Sequence, residues 1–543
     1  MFVKRFSVLL LTIVLCSVTS MPLMVHAQSD TALQHRAEIS YPTKFDKTPK
    51  PLREMFDTGE KPEPARGGKD FEPGRPQPVG NSNKPFTDPL ADKSVGSTSA
   101  LAEIKASTNG TPVDPNARVA PPDTTGDVGP NHYVQWVNLR YAIYTLTRGT
   151  SNEITGFNLA PGFPKNGNVV WQGFGGRCQS DNDGDPIVQY DQLADRWILT
   201  QFAVSGTPYT QCVAVSTSPD PTGTYFRYAF SYDRSFNDYP KMGVWPDAYY
   251  ISYNMFRNGR SFTGNTVCAL ERAQMLLGLT ARQACVNTTA THSMEPADLE
   301  GTIPPPVGSP NLLMSITTNS VLFWRFAVNW VAGTGTLTGP TTVAGVAAFS
   351  RACGGGACIP QPGTTTQLDS LADRLMYRLS YRNFVDHEAL VINHSVTSLS
   401  GVGIRWYELR NATGQTLGSA APVLFQQGTF APTTAFRWMG SAAMDKTGGI
   451  AIGYNLSSST IVPSIRYAYR GPADPLGTLG NETIVNAGVG SQTGNLTRWG
   501  DYSTISVDPV DDCTMVFTSQ FQPANGSFNW TTYIHSFKLS TCN

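Results

Sequence analysis

Acidic, basic and aromatic residues recur at matching places along the chain: Asp127, Asp185, Asp238 with Tyr239 and Lys241, Asp298 with Glu300, Arg374, Arg437 with Trp438, and the run Arg498-Trp499-Gly500-Asp501-Tyr502. Each stands just ahead of a turn between two β-rich runs. The mixture suits a carbohydrate or an acidic sugar, because ring faces stack on Trp and Tyr while carboxylates and guanidinium groups grip hydroxyls or acid groups. Asp127, Tyr239, Lys241, Glu300, Arg374, Arg437, Trp438, Arg498 and Trp499 are therefore candidate ligand-binding residues. Asp185, Asp238, Asp501 and Tyr502 are candidates for catalysis. Hydrolysis of a glycosidic bond needs two carboxylates ~5 to 9 Å apart, one kept protonated by its surroundings, and the surplus of acids singles out no pair. The competing role for each aspartate is to cap a turn or to tie adjacent units together.

Asp181, Asp183 and Asp185 fall at i, i+2 and i+4, the spacing that opens a calcium loop. A helix-loop-helix site would want Glu at its twelfth position, and that residue is Gln192. Calcium is the one cofactor suggested; the alternative is an acidic surface loop braced by Cys178. His387 and His394 lie in an expected strand pair. Seven residues apart on a regular strand they point to opposite faces, so they cannot share a metal. His387 is a candidate general base for β-elimination on a uronic acid, with a structural hydrogen-bonding role as the alternative. No Gly-x-Ser-x-Gly, P-loop or His-Glu-x-x-His pattern occurs.

The elements that must position these residues show as a repeat. Asn131, Asp191, Asp247, Asn311, Asp386, Asp445 and Asp508 each end a short turn and precede an apolar, β-rich run, at intervals of 60, 56, 64, 75, 59 and 63 residues. A β-repeat of that size describes a propeller blade better than a helical solenoid unit. Asp, Asn and Gly in the turns supply the local hydrogen bonds and positive φ of tight hairpins. The expectation is an all-β fold, a single propeller of seven four-stranded blades over 115–543, with six or eight as alternatives. The longest interval should hold an insertion at Cys353-Gly-Gly-Gly-Ala-Cys358. Inner strands of such a fold converge on a funnel, where a ligand site is expected.

The first 27 residues, with Lys4, Arg5, an apolar stretch from Phe6 to Val18 and a small-residue ending, read as a signal peptide cleaved after Ala27. No other apolar stretch approaches bilayer length, so a secreted or periplasmic protein is expected. Residues 28–114, rich in Pro, Gly and alternating charge, read as a disordered stalk or pro-region, with a short helix near Leu101–Lys105. Eight cysteines remain after the signal, and pairing of sequence neighbours gives Cys178–Cys212, Cys268–Cys285, Cys353–Cys358 and Cys513–Cys542. The net charge of -1 argues against nucleic acid as a partner. A glycan or an extracellular protein is the expected partner, and a monomer the expected state.

The stretches PPDTTGDVGPNHYVQWVN, NDGDPIVQYDQLADRW, NDYPKMGVWPD, ADRLMYRLSYRNFVDHEALVINHSV, RWMGSAAMD, PSIRYAYR and RWGDYSTISVDPVDDC resemble a group of exported bacterial β-propeller proteins without assigned activity. That resemblance implies fold and export and no catalytic residues. Ser218-Pro-Asp220-Pro-Thr-Gly223-Thr-Tyr225 is similar to the Asp-box turn of sialidase-type propellers, one residue longer and ending in Tyr. The resemblance implies an arginine triad, a nucleophile pair and an acid, parts for which Arg437, Arg466, Arg498, Tyr502 and Asp501 are available. The function expected is a secreted propeller holding a glycan or protein ligand at its funnel. The alternative is a carbohydrate-active enzyme, a sialidase-like hydrolase or a polysaccharide lyase, using carboxylates at the same place.

Overall fold

Runs such as Tyr249–Arg257, dense in Tyr, Ile, Met and Phe, form strands that are buried over nearly their whole length, as expected where β-formers are covered on both faces. The computed structural model describes residue 1 and residues 34–56, 86–91, 101–115, 118–399, 401–480 and 482–543. The signal sequence and its cleavage point lie outside the described residues.

The strands assemble in chain order into antiparallel sheets. The first contains Thr125–Val128, His132–Val137, Arg140–Arg148 and Ile154–Leu159. The second runs Gly184–Asp191, Arg196–Ala203, Thr210–Ser216, Tyr225–Ser231, and the third Ser235–Val244, Tyr249–Arg257, Ser261–Leu270, Gln283–Thr288. The last joins Thr504–Val507, Thr514–Phe521 and Thr531–Leu539 to Ala102–Asn109 from the other end of the chain. Those four stand alone as blades. The repeats between them are hydrogen-bonded into one thirteen-stranded sheet. Parallel pairing of Ala297–Leu299 with Leu379–Tyr381 makes one junction there, and a bridge from Val402 to Phe436 makes the other. The expected seven separate blades are thus corrected to four free-standing ones plus this large sheet. Main-chain groups at the edges of neighbouring repeats come close enough to pair. The arrangement is propeller-like. The first strand of each repeat neighbours the first strand of the next, and Thr504–Val507 lies beside Thr125–Val128 to close the ring.

Hairpin chemistry holds the repeats as the Asx turns suggest. Asp191 Oδ1 accepts the N–H groups of Leu193 and Ala194 at 3.1 Å each, and Asp445 Oδ1 accepts those of Thr447 at 2.8 Å and Gly449 at 2.9 Å. Asp191 also takes a fork from Arg272 of the next repeat at 2.6 and 3.0 Å. All four cysteine pairs are bonded as their order in the sequence suggested.

The stalk expected at 28–114 is corrected by its described residues. Gln34–Arg36, Glu38–Ser40 and Lys44–Lys47 add an extra antiparallel strand to the fourth, third and second repeats in turn. Arg227 grips Asp46 with two hydrogen bonds of 2.8 Å. These short strands are polar and carry no apolar face of their own. They order because an open sheet edge offers unpaired N–H and C=O groups to an extended segment. Ala102–Asn109 is a strand in place of the expected helix.

Candidate functional site

Three repeats begin their inner strand with the same irregularity. Register breaks between Gly184 and Ile187, between Asp238 and Lys241, and between Trp438 and Ser441. Such bulges re-aim side chains at sheet ends. Asp185, Tyr239 and Met439 within them have φ of 44°, 54° and 57°, and Asp123 and Asp501, just ahead of the inner strands of the first and last repeats, have 49° and 56°. Left-handed backbone at non-glycine residues is costly and gathers where surrounding structure holds side chains for a purpose. These five lie at the upper, strand-entry end of the ring.

Asp123, Asp185 and Asp501 meet there. The Asp123 carboxyl donates to Asp185, and burial, then the Asp501 and Asp185 charges, hold it well above the usual carboxylate range. Burial raises Asp185 to about 6, opposed by the Lys241 charge. Asp185 also accepts the Tyr239 N–H at 3.2 Å, a tie between the second and third repeats. Arg498 pairs with Asp501. Lys241 is fully buried, donates to the Pro240 carbonyl at 2.8 Å and sits over the Tyr239 and Tyr502 rings at 3.3 and 3.8 Å. Burial brings its ammonium down to about 8. Arg374 forks onto Asp373 at 2.8 and 3.1 Å and lies 4.4 Å over Tyr239. Glu295, opening the inner strand Glu295–Leu299, is wholly buried with neither carboxylate oxygen hydrogen-bonded. Burial pushes it up to about 8 against the charges of Lys241 and Arg374. Asp238 is half-buried beside Tyr239.

The expected insertion, between the strands Thr334–Thr342 and Met376–Asn383, roofs this end. Ile359, Leu368, Leu371 and Ala372 pack with Tyr239, Tyr377, Trp438 and Tyr502. The Gln361 side chain donates to the Gln492 carbonyl at 3.0 Å and accepts its N–H at 2.8 Å, fastening the insertion to the segment that carries Arg498 and Asp501.

A second acidic group occupies the other end of the inner strands. Arg378 lies 2.9 Å from both Asp127 and Asp298 and 3.8 Å from Glu300. Asp127 accepts the Tyr190 N–H at 2.8 Å and Asp298 the Val244 N–H at 2.9 Å, so each ties its strand to a neighbouring repeat. Burial raises Asp298 to about 7 and Glu300 well above its usual range. The cleft these residues line holds about one water molecule.

The single funnel set expected from sequence therefore divides. Asp185, Asp238, Tyr239, Lys241, Arg374, Arg498, Asp501 and Tyr502 gather at the upper end; Asp127, Asp298 and Glu300 do not. A strand advances about 3.3 Å per residue, which separates Glu295 from Glu300 by roughly 16 Å. Arg437 is turned away onto Glu482 at 2.8 Å, which it shares with Arg466 at 2.5 Å, so no arginine triad forms with Arg498. Trp438 and Trp499 are fully buried against one another, 5.9 Å apart, and Trp499 donates to Asn455 at 3.2 Å. They are core, with no face for a sugar to stack on. His387 follows the lower end of an inner strand, paired with Asp386 at 2.8 Å and stacked on Phe384 at 4.8 Å. It is far from the upper carboxylates. The calcium spacing does not converge either. Asp181 faces Arg177 at 2.9 Å, Asp183 accepts the Ser205 N–H and hydroxyl at 2.7 and 2.5 Å, and Asp185 turns into the funnel. Among the described residues no group of three His, Cys, Asp or Glu is placed to hold a metal. The Asp-box-like turn is structural, with Asp220 accepting the Thr222 N–H at 2.9 Å.

Asp123 and Glu295 were not picked out from sequence. Asp123 had a signal: it precedes the first inner strand as Asp501 precedes the last.

No protein-family model and no curated protein matches the chain. Among solved structures, a subtype N10 neuraminidase-like protein of A/little yellow-shouldered bat/Guatemala is similar at 10% identity over 68% of this chain and 99% of its own, with a TM-score of 0.33. An alpha-L-arabinofuranosidase from Lactobacillus brevis is similar at 9% identity over 65% and 90%, with a TM-score of 0.26. An endo-arabinase from Bacteroides thetaiotaomicron follows at 10% identity over 54% and 95%, with a TM-score of 0.25.

Proposed function

We propose that the protein is an exported propeller that binds a glycan at the upper end of its funnel. The observation that carries this reading is the convergence of Asp123, Asp185 and Asp501 from separate repeats on Lys241 and Arg498, on strained backbone at the strand entries. Acceptors and donors set side by side suit hydroxyl groups, which both give and take hydrogen bonds. With the tryptophans buried, the grip is polar. Export is supported by four disulfides and by the absence of a helix long and apolar enough to cross a membrane among the described residues. We read the thirteen-stranded sheet as three blades fused at their junctions, which makes a seven-bladed ring with the other four.

A second reading, hydrolysis at the same place, is favoured by one observation. Glu295 is held protonated near neutrality while Asp185, raised only to about 6, ionises there, the division of labour that acid–base cleavage uses. A glycan array on the mature protein, followed by product analysis on each hit, tests both. Binding without turnover supports the first reading and removes the second, turnover supports the second, and a blank array contradicts both.

A further inference from the structure

Carboxyl groups outnumber cations around Lys241. Arg498 is taken up by Asp501 and Arg374 by Asp373. Arg351, from the insertion, faces Asp373 and Arg374. Lys241 remains against three carboxyl groups, Asp123, Asp185 and Glu295, each of which acts on it directly. Several oxygens of this group are not consumed by the fold. Both oxygens of Glu295, Oδ1 of Asp123 and Oδ1 of Asp501 are buried without a hydrogen-bond partner, although buried polar atoms are nearly always satisfied. Asp123 and Glu295 are each at least nine-tenths buried. Asp185 is half-buried.

Resting on the funnel-glycan reading, we propose that the sugar recognised here carries a free amine, and that its ammonium group is held by Asp123, Asp185 and Asp501, with the unpartnered Glu295 facing Lys241 beside it. An ammonium brings three donors and one positive charge to a place that has spare acceptors and more carboxyl groups than cations. An acidic sugar meets the opposite condition, because its carboxylate would enter beside Asp185 and Asp501 and meet like charge.

The test is titration calorimetry of the full chain at pH 7 with glucosamine oligomers, N-acetylglucosamine oligomers of equal length, oligogalacturonate and tri-lysine. Glucosamine oligomers are expected to bind at least about tenfold more tightly than the acetylated ones, the worth of one charge-assisted hydrogen bond, with oligogalacturonate weakest. Asp185→Asn should abolish the preference for glucosamine oligomers over the acetylated ones. Asp501→Asn, a neutral isostere that tolerates the left-handed backbone there, should do the same if Asp185→Asn fails to fold. Equal affinity for the three oligosaccharides overturns the ammonium site while the glycan reading stands. Tri-lysine binding as tightly as glucosamine oligomers overturns the assignment to a sugar. No binding of any oligosaccharide, together with a blank glycan array, overturns the underlying reading itself.

Discussion

Replacing Glu295 by Gln should make the protein more stable and less functional. Glu295 is fully buried without hydrogen bonds, and burial raises its carboxyl from 4.5 to about 8. At pH 7 the unfolded chain carries this group ionised, so folding must bring a proton onto it. At about 1.4 kcal/mol for each pH unit, the interval from 4.5 to 7 costs roughly 3 kcal/mol. A folded value above the unfolded one means that wild-type stability falls as pH rises from about 4.5 to about 8 and then levels off. Gln has nearly the same shape and no proton to take up. Because wild-type Glu295 is itself mostly neutral at pH 7, the Lys241 surroundings change little there. Glu295→Gln should therefore gain about 3 kcal/mol at pH 7, a rise in Tm of about 3 °C for a chain of this size, and gain close to nothing at pH 4. Calorimetric melting of both proteins at pH 4, 5.5, 7 and 8 checks this. A gain that does not grow with pH, or a loss at pH 7, would refute the claim that Glu295 is buried at the expense of stability. Residues retained against stability are the ones whose function is worth seeking.

Arg378→Ala should cost about 3 to 5 kcal/mol in chemical denaturation, because it leaves Asp127 and Asp298 buried without their shared cation. Binding at the upper end should weaken as pH falls through about 6, where Asp185 takes up its proton, and calorimetric titration at pH 5 and 7 reads the difference. Trp499→Phe should leave glycan affinity within about twofold while lowering Tm, since the ring is core; a selective loss of affinity would return it to the site. Replacing Cys513 and Cys542 by Ser opens a loop with a sequence separation of 29 and should cost about 3 kcal/mol under non-reducing conditions.

Much of the frame could be read from residue order. The strand that follows each Asx anchor is there, from His132–Val137 to Thr514–Phe521, because hairpin turns and β-formers act locally. The cysteine pairs follow for the same reason, each closing within a repeat or alongside it. The rim strands at 34–47 were hidden, since Gln-His-Arg and Lys-Phe-Asp-Lys carry no strand pattern and depend on edges supplied nearly 200 residues or more away. The site was half legible. Residue types marked Asp185, Tyr239, Lys241, Arg498 and Asp501, but which end of an inner strand a residue occupies decides whether it joins them. Glu300 and Asp127 look in sequence like their upper counterparts and lie on the far side of the ring. Arg437 and Trp438 failed for another reason: neighbours from the same and adjacent repeats, Glu482 and Trp499, took them up.

The most direct measurement is a crystal structure of the protein with the tightest-binding oligosaccharide from the array. Density for a sugar within hydrogen-bond distance of Asp185 and Asp501, beneath the insertion closed by Cys353 and Cys358, is the predicted result. A sugar seated at the Arg378 end or on the outer rim, with the upper carboxylates untouched, would contradict the assignment.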